Sequence, residues 1–262
     1  WTTAMWPDGS VKWLGVAGVT GSMATMQRPV VDANTITIDN GKLKLYVARH
    51  GRNLIDSLIM DGKKICDGAH LVATTTNATY ASVVDSAVVE RAGSSRALIK
   101  ICGTMSDGSR RWLPFTLRLY AYAANEQLRM VHSFIYDGDQ DKDFISSLGL
   151  TFDVPLRKET YNRHVMFAMD GGKMWHEPVQ PLDGRSPLDR NYNWQERQQA
   201  GFEIPAANTF DERQQTFLSE WASWDGFRLS QLNDGSFTIR KKAQADRPWI
   251  GTFTGCRSNG LA

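Results

Sequence analysis

PFTLRLYAY, residues 114–122, alternates two kinds of side chain without a break. Phe115, Leu117, Leu119 and Ala121 fall on one parity, while Thr116, Arg118, Tyr120 and Tyr122 fall on the other. In an extended chain successive side chains point to opposite faces, so this segment is a strand with one apolar and one polar face.

Comparable long segments surround it at 83–90, 97–105, 128–136 and 145–154, and shorter ones occupy 35–38, 43–47, 54–59, 63–65, 165–169, 227–232 and 237–240. Between them Asp-Gly recurs at 8–9, 61–62, 67–68, 107–108, 137–138, 170–171, 183–184, 225–226 and 234–235, with Asn-Gly at 40–41. These dipeptides supply the positive φ of tight hairpin turns. Long strands joined by hairpins predict an all-β fold, a large antiparallel β-sandwich of the supersandwich type, with a small N-terminal β-hairpin piece.

That front piece centres on WPDGSVKW, residues 6–13, where Pro7 presets φ, Asp8 and Gly9 complete a turn, and Val11 and Trp13 begin the returning strand. Residues 23–32, containing Gln27-Arg28-Pro29, read as a linker that divides 1–30 from the main sandwich at 31–262. Residues 183–206 are polar and hold Pro187 and Pro205, a long excursion of the kind that carries function or packs on another domain. Residues 211–224 suit a short helix with Phe217, Leu218 and Trp221 on one side. The chain starts on Trp1 and stops on Ala262 just after Ser258-Asn259-Gly260, so both ends read as cuts.

With 262 residues, 42% of them hydrophobic, the chain can bury a sizeable core without staples. A net charge of +2, with bases and acids interspersed, gives no electrostatic case for nucleic acid. The longest apolar runs, such as 14–19, are too short to cross a bilayer, so no membrane span is expected. Cys66, Cys102 and Cys256 lack any CxxC or Cys/His spacing and read as small buried apolar residues, one disulfide being the other arrangement. Asn77-Ala78-Thr79 matches a glycosylation sequon. No GxSxG, P-loop, HExxH or dinucleotide glycine pattern is present, and neither a cofactor nor a metal is expected.

Two clusters have chemistry-bearing types. Tyr161-Asn162-Arg163-His164 precedes an apolar strand: Tyr and His suit proton transfer, and Arg and Asn bind carboxylates. On a strand Tyr161 and Arg163 would share one side and Asn162 and His164 the other; the other reading is an exposed strand start with a hydrogen-bonded histidine. Trp175-His176-Glu177-Pro178, followed by Asp183, Arg185, Asp189 and Arg190, has the makeup of a saccharide subsite, and equally of a domain interface. Two acids there would also suit a hydrolase pair at the right separation. Trp221 and Trp224 read as core and turn residues, and Trp112 as an edge-of-core residue. His50 and His70 are isolated, and His132 reads as a paired sheet histidine. Asp137, Asp139, Asp141 and Asp143 resemble the start of an EF-hand loop, but Leu148 stands where its closing glutamate would be, so a solvated turn is expected.

WPDGSVKWL, YNRHVMF with MWHEPVQPL, WASWDGFRLSQL and GCRSNGLA, in that order along most of the chain, resemble the rhamnogalacturonan exolyase family and the related YetA-like proteins. The resemblance implies an N-terminal β-barrel-like domain, a central β-sandwich and a C-terminal α/α-toroid. Residues 1–30 would then be the end of the first domain and 31–262 the second, with the toroid outside this chain. It implies a secreted or periplasmic protein acting on acidic polysaccharide such as pectin, with the sandwich packed against the toroid and the chain alone inactive. The implied reaction is β-elimination at a 4-linked uronate: a base takes the C5 proton, cationic or amide groups stabilise the enolate-like intermediate, and an acid assists loss of O4. Tyr161, Arg163, His164, His176 and Glu177 are the expected cleft-facing residues, with Trp175, Arg185 and Arg190 binding substrate; the individual catalytic roles stay unassigned. The alternatives are a non-catalytic carbohydrate-binding sandwich, a purely structural one, or part of a glycoside hydrolase.

Overall fold

The parity read from 114–122 becomes burial: Phe115, Leu117, Leu119 and Ala121 are each no more than 3% exposed, and the alternate residues are half-buried. The computed structural model describes residues 2–5, 11–14, 25–168, 170–172, 174–180, 182, 194–220, 225–233, 236–242 and 253–258. The chain divides into two units, Trp1–Pro155 and Leu156–Ala262.

In the first unit β1 (Thr2–Met5) and β2 (Val11–Leu14) form a hairpin that pairs Thr2 with Leu14 and Met5 with Val11. Its turn, residues 6–10, lies outside the described residues. The strands that follow are β3 (Val30–Val31), β4 (Thr35–Asp39), β5 (Leu43–Ala48), β6 (Ile55–Met60), β7 (Lys63–Cys66) and β8 (Ala69–Thr75). Then come β9 (Thr79–Ala92), β10 (Arg96–Ser106), β11 (Arg111–Tyr122), β12 (Leu128–Phe134) and β13 (Ile145–Phe152). All pair antiparallel in the order β12-β11-β10-β9-β8-β6-β5-β4-β3, with β7 on β6 and β13 on β8.

The branching at β8 makes two layers. β13 runs along one edge of β8, while the other edge pairs with β9 at residues 72–74 and with β6 at Ala69. β3–β7 and β9–β12 therefore leave the same edge at different heights and diverge around one core containing Ile36, Leu45, Ile55, Ile99, Ile101, Leu117 and Leu119. Buried Asn40, in the β4–β5 turn, ties the layers: its Oδ1 accepts from the Lys42 and Leu43 N–H groups, and its Nδ2 donates to the Tyr122 and Asn125 carbonyls at 2.8 and 2.9 Å.

The hairpin reading needs correction at Asp67-Gly68 and at Asp137-Gly138, since neither β7 and β8 nor β12 and β13 pair with one another. Gly138 is there for close approach, because a Cβ would lie 2.7 Å from the Trp112 ring. Trp112 itself is in the core rather than at its edge, 2% exposed, with the Arg110 guanidinium 4.7 Å from its ring centre. The aspartate loop is a tether, not merely a solvated turn. Asp137 accepts from the Leu113 N–H at 2.7 Å, and Asp143 takes both terminal nitrogens of Arg110 at 2.7 Å and the Asp139 N–H at 2.8 Å.

The second unit holds the hairpin of β14 (His164–Ala168) and β15 (Met174–Pro178), two helices α1 (Trp194–Gln199) and α2 (Glu212–Glu220), and the sheet of β16 (Gly226–Asn233), β17 (Ser236–Lys242) and β18 (Phe253–Ser258). Helix α2 lies where expected and starts on a reciprocal cap, Gln214 N–H to Asp211 Oδ1 at 2.8 Å and Asp211 N–H to Gln214 Oε1 at 3.2 Å. Helix α1 falls inside the stretch expected to be an irregular excursion. Among the described residues no helix is long and apolar enough to cross a membrane.

Candidate functional site

In the second unit a small core of Tyr161, Leu182, Ile204 and Leu218, with Trp194 and Phe210 against it, fixes one wall of an open cleft. Residues 160–164 do not run as a strand. Thr160–Asn162 is a 3-10 turn, closed by Asn162 N–H to Glu159 O and Arg163 N–H to Thr160 O, and β14 begins only at His164. The strict alternation expected there is thereby broken, and neighbouring side chains have different fates.

Tyr161 goes inward. It is 3% exposed, its hydroxyl donates to the Pro205 carbonyl at 2.9 Å, and burial pushes that hydroxyl up to about 12, with Glu159 adding to the effect. A phenol so placed is a poor proton acceptor near neutral pH, and it does not line the cleft. Asn162 locks the two walls together, its Nδ2 donating to Ile204 O at 2.7 Å and its Oδ1 accepting from the Ile204 N–H at 2.9 Å. Buried Gln198 of α1 donates to the Tyr161 and Gln180 carbonyls and accepts from the Leu182 N–H.

Arg163 and His164 turn outward and line a cleft of 330 Å³ with Arg157 and Lys158 on the same wall and Gly201, Phe202 and Glu203 opposite. Arg163 is aimed by its own Nε, which donates to the Lys158 carbonyl at 2.6 Å. Lys158 and Glu203 close one end as an exposed ion pair at 2.9 Å. Exposed Phe202 carries the Arg197 guanidinium 5.5 Å from its ring centre. The result is a cationic, imidazole-bearing wall facing an aromatic ring. Guanidinium forks bind carboxylates in pairs of hydrogen bonds, and imidazole moves protons near neutral pH.

The other expected site residues are placed less fully. Trp175, His176 and Glu177 lie on β15, where the backbone register sets them opposite Phe167, Met166 and Val165. Arg185 and Arg190 lie outside the described residues, as do Trp221 and Trp224. Sequence reading missed the wall formed by Phe202 and Glu203. They sit in the polar stretch after α1, and the available signal was an aromatic residue next to an acid just after a glycine.

The remaining candidates in the first unit have structural surroundings. Arg52 donates to His70 Nε2 at 2.8 Å, and burial followed by that cation lowers the His70 pKa, so the ring is neutral with its proton on Nδ1. His132 is not a paired sheet histidine at Nε2: that atom is buried without a hydrogen-bond partner, and the ring lies between Phe115 and Phe134. His50 Nδ1 lies 3.1 Å from the Asp85 carbonyl. Cys66 is buried and Cys102 half-buried, both as thiols, and Cys256 has no described side chain.

Residues 30–262 match the family model described as the PcRGLX-like protein central beta sandwich domain, and residues 1–33 match the PcRGLX-like N-terminal RIFT barrel domain. The chain is 30% identical over 290 residues to the uncharacterized protein YetA of Bacillus subtilis strain 168. That match takes in 99% of this chain and 33% of the relative's length.

Proposed function

Because the chain belongs to the PcRGLX-like family, which is related to rhamnogalacturonan lyases, we propose that it is the sandwich portion of a secreted or periplasmic protein that cleaves uronate-containing polysaccharide by β-elimination. On this reading residues 1–30 end a preceding β-barrel-like domain, 31–262 form the central sandwich, and a helical toroid completes the active cleft. The carrying observation is the cleft wall where Arg163 and His164 stand beside Arg157 and Lys158. Arg163 would hold the uronate carboxylate and stabilise the charge that develops on it as the C5 proton leaves. The electron pair of the C5–H bond forms the C4–C5 double bond, and O4 departs with a proton. His164 is the group of suitable type for one of those transfers. His176, Glu177, Trp175, Arg185 and Arg190 remain proposed contributors.

Glu203 is the one carboxylate among the described residues lining the cleft, and it is paired to Lys158. The cations of the wall suit the anionic intermediate of elimination, whereas glycoside hydrolysis in most families uses two carboxyl groups at a set separation. The test uses the complete protein with rhamnogalacturonan and other uronate oligosaccharides. Absorbance of the unsaturated product should rise, and Arg163→Ala should lower the rate on the order of 10²-fold. Tyr161→Phe should leave the rate unchanged while the fold loses about 1 kcal/mol. No absorbance change with any uronate substrate ends the lyase reading.

A further inference from the structure

The outer face of β9–β12 carries a second feature. Register sets Arg91, Leu98, Tyr120 and Arg129 side by side across the four strands, with Arg96 beside Tyr122 on the next row. One row the other way lie Val88, Lys100, Arg118 and Val131. A bulge in β9 adds Glu90 to the same face, where it takes Arg118 in a two-bond ion pair at 2.9 and 3.1 Å. Among the described residues, Arg91, Arg96, Lys100 and Arg129 form no ion pair, and an open depression of 480 Å³ runs between Arg91, Arg96 and Tyr122.

The arginines are held in place. Arg96 and Arg129 both lie against the Tyr120 ring, 5.7 and 5.5 Å from its centre. Stacking a guanidinium on a ring leaves its edge, with the N–H fork, free to meet a carboxylate. Cations gathered on one face of a chain whose net charge is only +2 repel one another unless an anion joins them. We propose that this face is a binding strip for an acidic saccharide chain, running across the strands from Arg91 to Arg129, about 14 Å at ~4.8 Å per strand.

Other polyanions fit less well. Single-stranded nucleic acid combines phosphate contacts with bases stacked on bare aromatic faces, and here the Tyr120 ring is occupied by two arginines. An acidic peptide gains affinity from apolar anchor pockets or from a free strand edge. Leu98 is 7% exposed beneath its neighbours, and the depression opens on the sheet face over β9, β10 and β11, which are paired on both sides, and not at the free edge of β12. The strip is built from residues of the first unit, and its occupancy needs no turnover.

Calorimetric titration of the 262-residue chain with galacturonate oligomers tests it. Binding should be saturable, should weaken with added salt, and should fall at least tenfold in Arg96→Ser/Arg129→Ser and in Arg91→Gln/Lys100→Gln. The second pair serves as the folding-neutral variant, since neither side chain stacks on Tyr120. Carboxyl-reduced oligomers should not bind, and the two double variants should lose the same saturable phase whether or not Arg157→Ala removes a cation from the cleft. The proposal is overturned by no heat with the oligomers, by full affinity in both double variants, by a loss confined to Arg157→Ala, or by single-stranded DNA or poly-glutamate displacing the oligomer at equal charge. A complete protein without lyase activity would end the elimination reading and leave these outcomes unaffected.

Discussion

At the residue scale the Arg110–Asp143 pair shows how one contact closes a loop. Asp143 accepts both terminal nitrogens of Arg110 and the Asp139 N–H, and these hold its carboxyl down at about 2. An unfolded aspartate titrates near ~3.9. The folded value is the lower, so the contribution to stability is complete above about pH 4 and is lost as pH falls toward 2. Thermal melts should therefore show Asp143→Asn below wild type at pH 6, with the gap narrowing steadily below pH 4. A gap that stays constant down to pH 2.5 would mean that charge plays no part. The same loop limits what sequence can convey. Its four alternating aspartates gave no hint that Asp137 would cap Leu113, whose φ is +49°, or that Gly138 would lie against Trp112. Those partners stand 24 and more positions away, and no local pattern encodes them.

Elements dressed on two faces were legible, and elements buried on both were not. Strands β4, β5, β10 and β11 carry the buried parity that their alternation predicts. At Asp61-Gly62 both residues take positive φ, +49° and +72°, as a two-residue hairpin turn requires. Strand β8, Ala69–Thr75, escaped notice because it is the branch point: with β13 on one edge and β6 and β9 on the other, its residues are mostly buried whatever their parity. In the second unit β14 starts at His164, one residue before the strand expected at 165, but the alternation expected through 161–164 is broken, since the 3-10 turn there is set by contacts to Ile204 and Pro205, more than 40 residues on. That is also why the pairing of Arg163 with His164 on one cleft wall was readable as types and not as geometry. Strand β10 yields a sharper test. A Cβ at Gly103 would sit 2.2 Å from the Val83 carbonyl and 2.8 Å from the Phe115 ring, at a point where the register with β9 and β11 slips. Gly103→Ala must push a backbone carbonyl aside and should cost ~1–3 kcal/mol. Urea unfolding would read it as a lower midpoint with unchanged slope, and an unchanged midpoint would show that the layer yields there freely.

For the whole molecule, the two units separate the two candidate sites. The saccharide strip uses only β9–β12, and the cleft uses only residues after Pro155. The first unit has a contiguous core from Met26 to Ala121, with Leu148 and Leu150 of β13 packed against it. A stretch of that size with its own core is expected to fold alone. A fragment ending at Pro155 should thus give a β-type spectrum and melt cooperatively. It should bind galacturonate oligomers as tightly as the full chain. Exposed Phe134, Ile135, Phe144, Phe152 and Val154 lie on it, so sedimentation should show concentration-dependent self-association that mild detergent reverses. If the fragment melts without a cooperative transition, Trp1–Pro155 does not fold independently. If it folds but fails to bind, the strip requires residues beyond β13, and acidic saccharide binding belongs to the cleft.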